Sequence, residues 1–170
     1  MGQLGKRVVI GSDHGGISLK CELLPVLRDA GFEVEDIGVS AEGLVFDAKR
    51  GSLTGAASVD YPDYARQLAQ AVAEGRFDFG VLLCGSGIGM SIVANKVAGV
   101  RAALCHEPYS AKMARAHNDA NVLCMGARVV GAELAKEVLL AFASGVFEGG
   151  RHQRRVDKIA ALDATRAGKQ

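Results

Sequence analysis

Residues 79–90, FGVLLCGSGIGM, decide the fold. The first six are apolar without alternation, the pattern of a strand covered on both faces, as in a parallel sheet between helices. Gly85, Ser86, Gly87, Ile88 and Gly89 then form a glycine-rich turn, and helical spacing follows over 87–97. A buried strand that passes through glycines into a helix can aim backbone N–H groups at an anion. A plain tight turn has the same pattern, so the turn alone does not establish a ligand.

Outward from this stretch, strand-like and helix-like segments alternate. RVVIG at 7–11 is a β-rich run, and 17–30 carries Leu19, Leu23, Leu24 and Leu27 on one helical face before Gly31. A second strand is expected over 32–37. A helix starts at Pro62 after Asp60, with Tyr64, Leu68, Ala71 and Val72 at helical spacing. Strands at 100–105 and 121–125, and helices at 108–117, 132–143 and 151–164, complete the series. The alternation predicts an α/β protein: a Rossmann-like three-layer α/β/α sandwich with a five-stranded parallel sheet, one domain over 1–170. Residues 40–58, rich in Gly, Ser and Ala, exceed a routine connection. They read as a surface excursion with a small hairpin through 44–46. Residues 167–170 are expected to fray.

Composition narrows the function. Of 170 residues, 49% are hydrophobic and 23% charged, as in a soluble globular domain. No apolar run reaches the ~20 residues of a membrane span, and the start, MGQLGKRVVIGSD, lacks a signal-peptide layout. Net charge is +1, Trp is absent and aromatics are 5%. Neither a field for nucleic acid or membrane nor a base-stacking platform is expected. Cys21, Cys84, Cys105 and Cys124 form no C-x-x-C pair, which disfavours a zinc cage or redox dithiol and suits reduced thiols in the cytoplasm.

In open α/β sheets ligands bind beyond the carboxyl ends of the strands. The residues following the expected strands are Ser12, Asp13 and His14, then Cys84 to Gly89, then His106 and Glu107, then Gly126, Ala127 and Arg128. A thiol, an acid, imidazoles and a guanidinium therefore share one edge. Cys84 reads either as an inert buried thiol or as a thiolate favoured by the helix start beside it. Asp13 reads as a helix cap or as a ligand group. The GSGIG turn fits a dinucleotide fingerprint poorly, because the third glycine falls at Met90. Glu107 keeps a ribose-binding acid in view. A nucleotide-hydrolase phosphate loop is excluded, since no G-K-[ST] is present.

His117 and Asn118 end a helix, where a protonated imidazole is favoured. A loop before a parallel strand, however, lies at the opposite end of the sheet from Cys84. His117 therefore has no role beside Cys84, or it serves a neighbouring subunit. Arg151, Arg154 and Arg155 form one basic cluster, in which Arg151 and Arg155 share a helical face. A solvated face and a bidentate phosphate grip both fit, while Asp157 and Ile159 argue against a nucleic-acid tail.

Seven segments, in order, resemble the type B ribose-5-phosphate isomerases of the ribose/galactose isomerase family. They are GSDHGG (11–16), VDYPDYA (59–65), CGSGIGMSIVANKVAGVRAAL (84–104), EPYSA (107–111), HNDANVL (117–123), GARVVG (126–131) and GRHQRRV (150–156). The resemblance implies strand order 2-1-3-5-4 and a homodimer, or a dimer of dimers, with shared active sites. It implies Cys84 as the proton-abstracting base, with residues 85–89 as the anion loop. Ser86 stands where many members have threonine. Asp13 and His14 match the substrate-binding pair, and His117, with Asn118 beside it, the ring-opening histidine. Arg128, Arg151 and Arg155 match positions that hold substrate and phosphate. The excursion at 40–58 is longer than the family's connection and bears on substrate preference.

The expected activity is interconversion of ribose 5-phosphate and ribulose 5-phosphate through an ene-diolate, without metal or redox cofactor, since no electrons leave the substrate. Isomerisation of allose 6-phosphate, galactose 6-phosphate or a tetrulose phosphate stays open, as does a non-catalytic phosphate-binding module. A thiol-redox protein would need a resolving cysteine nearby in sequence.

Overall fold

Every residue of Phe79–Cys84 is buried, and this strand forms the middle of the sheet. The computed structural model describes residues 6–49 and 52–167. In chain order the elements are β1 (Arg7–Ser12), α1 (Ile17–Asp29), β2 (Glu33–Asp36), β3 (Val45–Asp47), β4 (Ser52–Thr54), α2 (Tyr61–Ala73) and β5 (Phe79–Cys84). There follow α3 (Ile88–Ala94), β6 (Ala102–Leu104), α4 (Pro108–Asn118), β7 (Val122–Gly126), α5 (Ala132–Ala143) and α6 (Arg151–Ala167). The main sheet runs β2-β1-β5-β7-β6, all parallel. Counting only its own strands, that is the expected order 2-1-3-5-4. The readings of residues 1–5 and of fraying from 168 onward lie outside the described residues.

Two cores follow from the pleat, because successive strand residues face opposite layers. Val8, Ile10, Val81 and Leu83 pack with Leu23 and Leu27 of α1 and Val138, Leu139 and Phe142 of α5. Val9, Leu82 and Cys84 face the other way, against Leu68 and Val72 of α2 and Met90 of α3. Phe79 meets Phe32 and Phe142 edge-on, at 5.5 and 5.7 Å between centroids, the orientation aromatic quadrupoles prefer.

Register matters most for the site. Ser12 pairs with Leu83, and Cys84 with Gly126. The ladder continues past the strand ends: Asp13 N donates to Leu83 O, Ala127 N to Cys84 O and Arg128 N to Gly85 O. Asp13, Gly85 and Arg128 are thereby held side by side.

The elements differ from the sequence expectation mainly in length. β6 covers Ala102–Leu104 rather than 100–105, because at this sheet edge Asn side chains take backbone amides: Arg101 N donates to Asn121 Oδ1 and Ala102 N to Asn95 Oδ1. α3 stops at Ala94 rather than 97, closing in tight turns from Lys96 N to Val93 O and Val97 N to Ala94 O. Within 40–58 the expected hairpin is β3 paired antiparallel with β4. Leu53 N, within this excursion, donates to Ser18 Oγ, and just past its end Val59 N donates to His14 Nδ1. Its start is fastened by Lys20, which is buried and donates to Asp36 Oδ1 and the Val39 carbonyl. Helical spacing gave no sign of this lysine's role. No helix among the described residues is long and apolar enough to cross a membrane.

Candidate active site

The sequence-selected residues fall into two groups at opposite ends of the sheet. The first gathers at the carboxyl edge. Cys84 is buried at the end of β5, and Gly87 N donates to its Sγ at 3.1 Å. Gly87 has φ 77°, the left-handed region open to glycine. A Cβ there would lie 2.6 Å from Leu104 Cδ1 and 2.8 Å from the Met125 carbonyl carbon, so the turn is also closely packed. The α3 helix has only seven residues and contributes little dipole. The direct N–H to sulfur bond is the closer polar contact of Cys84.

The remaining thiols lie elsewhere in the fold. Burial, with a smaller push from Glu107, raises Cys105 to about 11. Burial raises Cys124 further, and also raises Cys21. Among the charged neighbours, Asp13 is buried and its Oδ1 accepts from Gly15 N at 2.8 Å and Gly16 N at 3.0 Å, closing the turn into α1. His14 accepts at Nδ1, so a neutral ring carries its proton on Nε2. A Cβ on Gly85 would lie 3.4 Å from Arg128 Cζ, which places the guanidinium flat against the glycine turn. Within the turn, Ile88 N approaches Ser86 Oγ at 3.4 Å. A cavity of about 830 Å³ opens beside His14 and Arg128, walled by Ser18, Phe46, Leu53 and the start of α5.

Glu107 is not available as a ribose-binding acid in this arrangement. Its carboxylate caps α4, accepting from Tyr109 N and Ser110 N, and the Ser110 side chain first, then the Ser110 and Tyr109 amides, hold its pKa below the usual range. Tyr61 was passed over in the sequence except as part of a matching segment. It covers the glycine turn closely enough that a Cβ on Gly89 would meet its ring at 2.6 Å.

The second group lies at the other end. His117 ends α4 ahead of β7, and its Nε2 lies 3.7 Å from Glu148 Oε2. Asn118 follows it, its carbonyl accepting from Arg101 Nε. Arg151 and Arg155 are exposed on the first turns of α6. Between them stands His152, which is buried and stacked on His117. Burial first, then the nearby His117 and Arg151, lower the His152 pKa. His117, Glu148 and His152 form the one cluster among the described residues with a metal-type donor set. Glu148 and His152 were missed in the sequence. Their i, i+4 spacing around the Gly149-Gly150 pair does not by itself point to His117.

One chain therefore brings Asp13, His14, Cys84, the 85–89 turn and Arg128 together. It leaves His117, Asn118, Arg151 and Arg155 at the far end.

Residues 8–159 match the Ribose/Galactose Isomerase family. Ribose-5-phosphate isomerase B of Escherichia coli K12 is 47% identical over 161 residues, 95% of this chain and 99% of that one. D-erythrulose-4-phosphate isomerase of Pectobacterium atrosepticum is 43% identical, over 89% of this chain and 91% of that one. Among solved structures, type B ribose 5-phosphate isomerase from Trypanosoma cruzi superimposes with a TM-score of 0.84 at 43% identity, covering 96% and 99% of the two chains.

Proposed function

The chain belongs to the Ribose/Galactose Isomerase family, and we propose that it interconverts ribose 5-phosphate and ribulose 5-phosphate in the cytoplasm at a site shared by two subunits. The observation that carries the reading is the division of the site: a supported thiol at one end of the sheet and an imidazole with two guanidiniums at the other. A homodimer, alone or paired into a dimer of dimers, joins one end of each chain to the opposite end of its partner. Ile88, Ile92 and Tyr109, exposed near the carboxyl edge, supply apolar surface for that contact.

The steps follow from the chemistry. The furanose opens as His117 moves the proton between O1 and the ring oxygen. Cys84 thiolate takes the C2 proton of the open aldose. Charge then grows on O1, where the backbone donors of the 85–89 turn and Arg128 offset it; such preorganised donors are each worth about 2.7–4 kcal/mol. Ser86, within the turn, and Asp13, beside it, pass a proton from O2 to O1, and the Cys84 proton returns to C1. Atoms and electrons balance within the substrate, so no external oxidant enters. His14, through Nε2, and Asn118 hold sugar hydroxyls, while Arg151 and Arg155 hold the phosphate. The test is exchange of the C2 proton of ribose 5-phosphate with heavy water: a Cys84→Ser protein that still binds a phosphosugar loses it.

A second reading keeps the chemistry and changes the sugar. The identity with a D-erythrulose-4-phosphate isomerase and the cavity walled by the 40–58 hairpin favour keeping it in view. Turnover across four-, five- and six-carbon sugar phosphates decides between the two.

A further inference from the structure

Glu148 and His152 have no part in the reaction as proposed, yet the chain is built to deliver them to His117. The Glu148 backbone N–H donates to Ala116 O, one residue from His117, at 3.0 Å. Gly149 and Gly150 follow with φ of 63° and 54°, a left-handed pair that reverses the chain into α6. The first turn of α6 then lays the His152 ring flat on His117, with centroids 4.1 Å apart and planes within 4°. Glu148 Oε2 stands 3.7 Å from the Nε2 of each ring. A helix-end imidazole one-third exposed would otherwise sample several rotamers. A buried flat neighbour on its face and an acid at its Nε2 edge remove that freedom.

The same donors would suit a divalent cation, but the local field opposes one. Arg151 Nε donates to His152 Nε2 at 3.3 Å, the atom a cation would need, and Arg155 also acts on this ring. The cluster is arranged to orient an imidazole.

We infer that His152 and Glu148 are positioning residues for His117: His152 is the shelf that fixes its ring plane, and Glu148 fixes the direction of its Nε2. The inference rests on the reading of His117 as the ring-opening group, and it predicts a selective defect. Ribose 5-phosphate is a furanose and must open. Ribulose 5-phosphate has its C5 oxygen esterified, stays open-chain and reaches the ene-diolate without His117.

The experiment measures two rates for His152→Ala, His152→Phe and Glu148→Gln: kcat from ribose 5-phosphate, and deuterium incorporation at C1 of ribulose 5-phosphate in heavy water. His152→Ala and Glu148→Gln should lower kcat by about ten-fold or more, the scale of a misplaced catalytic group. Deuterium incorporation should change by less than about two-fold, and His152→Phe, which keeps a flat shelf, should recover most of kcat. Equal losses in both rates, or no loss in either, would overturn the inference. Glu148 is an exposed side chain, so Glu148→Gln keeps the test open if His152→Ala fails to fold. His117→Ala is the control. If it shows the split and the others do not, the inference alone fails. If it shows none, the reading of His117 fails and the inference goes with it.

Discussion

The carboxyl-edge half of the site and the helix-end half are built by different means. Cys84, Asp13 and Arg128 hang on β5, β1 and β7, whose backbone ladder runs past the strand ends and fixes the spacing. His117, Arg151 and Arg155 hang on the end of α4 and the start of α6, joined by a two-glycine reversal. The first half takes its precision from the sheet; the second takes it from a few local contacts. Phe79–Cys84 alone spans about 20 Å at strand rise, so the halves of one chain stay apart. Under the proposed function, each chain supplies two half-sites and completes neither.

The largest effect is expected at Cys84. Cys84→Ser should lose roughly 10³-fold of C2 proton exchange, within the usual range for a general base, while folding normally. Iodoacetamide near pH 7.5 should label Cys84 ahead of Cys105 and Cys124, whose burial keeps them protonated. Mass mapping with and without substrate reads this out, and labelling of Cys124 first would break the contrast.

Next comes the phosphate grip. Arg151→Ala or Arg155→Ala should raise KM for ribose 5-phosphate by roughly 10- to 100-fold, the value of a charged hydrogen bond. Weak binding of free ribose should hardly change. Equal losses for both ligands would make the arginines structural.

The halves also differ in how legible they were. The parallel sheet, the carboxyl edge and the far placement of His117 could be read because Phe79–Cys84 and its neighbours are apolar in unbroken runs and parallel crossovers leave few topologies, whereas the strand order came from the family resemblance. The partners of His117 could not. Nothing in the spacing of 144–150 shows that Glu148 returns to the end of α4, because that depends on two left-handed glycines and one long-range backbone bond. Lys20 was hidden for a similar reason: its partners, Asp36 and Val39, come from a different layer.

Two glycine substitutions sharpen the comparison through stability. Gly149→Ala has open space for its Cβ, so only the positive φ opposes it, at about 1–2 kcal/mol. Gly87→Ala adds a collision with Leu104 and the β7 backbone and should destabilise more. Urea unfolding of both variants checks the order. The smallest effect concerns acid. The His152 pKa is lowered in the fold, so the unfolded chain binds the proton more readily. Its contribution is intact above the ordinary imidazole value of ~6.5 and declines as pH falls below it. His152→Phe should flatten that part of the stability–pH curve, measured by thermal melts between pH 7.5 and 5.

The central claim is that the two halves meet only across subunits, and subunit mixing tests it most directly. Equal amounts of inactive Cys84→Ala and His117→Ala proteins are exchanged, with mixed dimers verified by native mass spectrometry. Each mixed dimer then holds one site with an intact Cys84 and an intact His117. The account predicts recovery toward about a quarter of wild-type activity, as random pairing of a two-fold dimer allows. Verified mixed dimers that stay as inactive as their parents would contradict it.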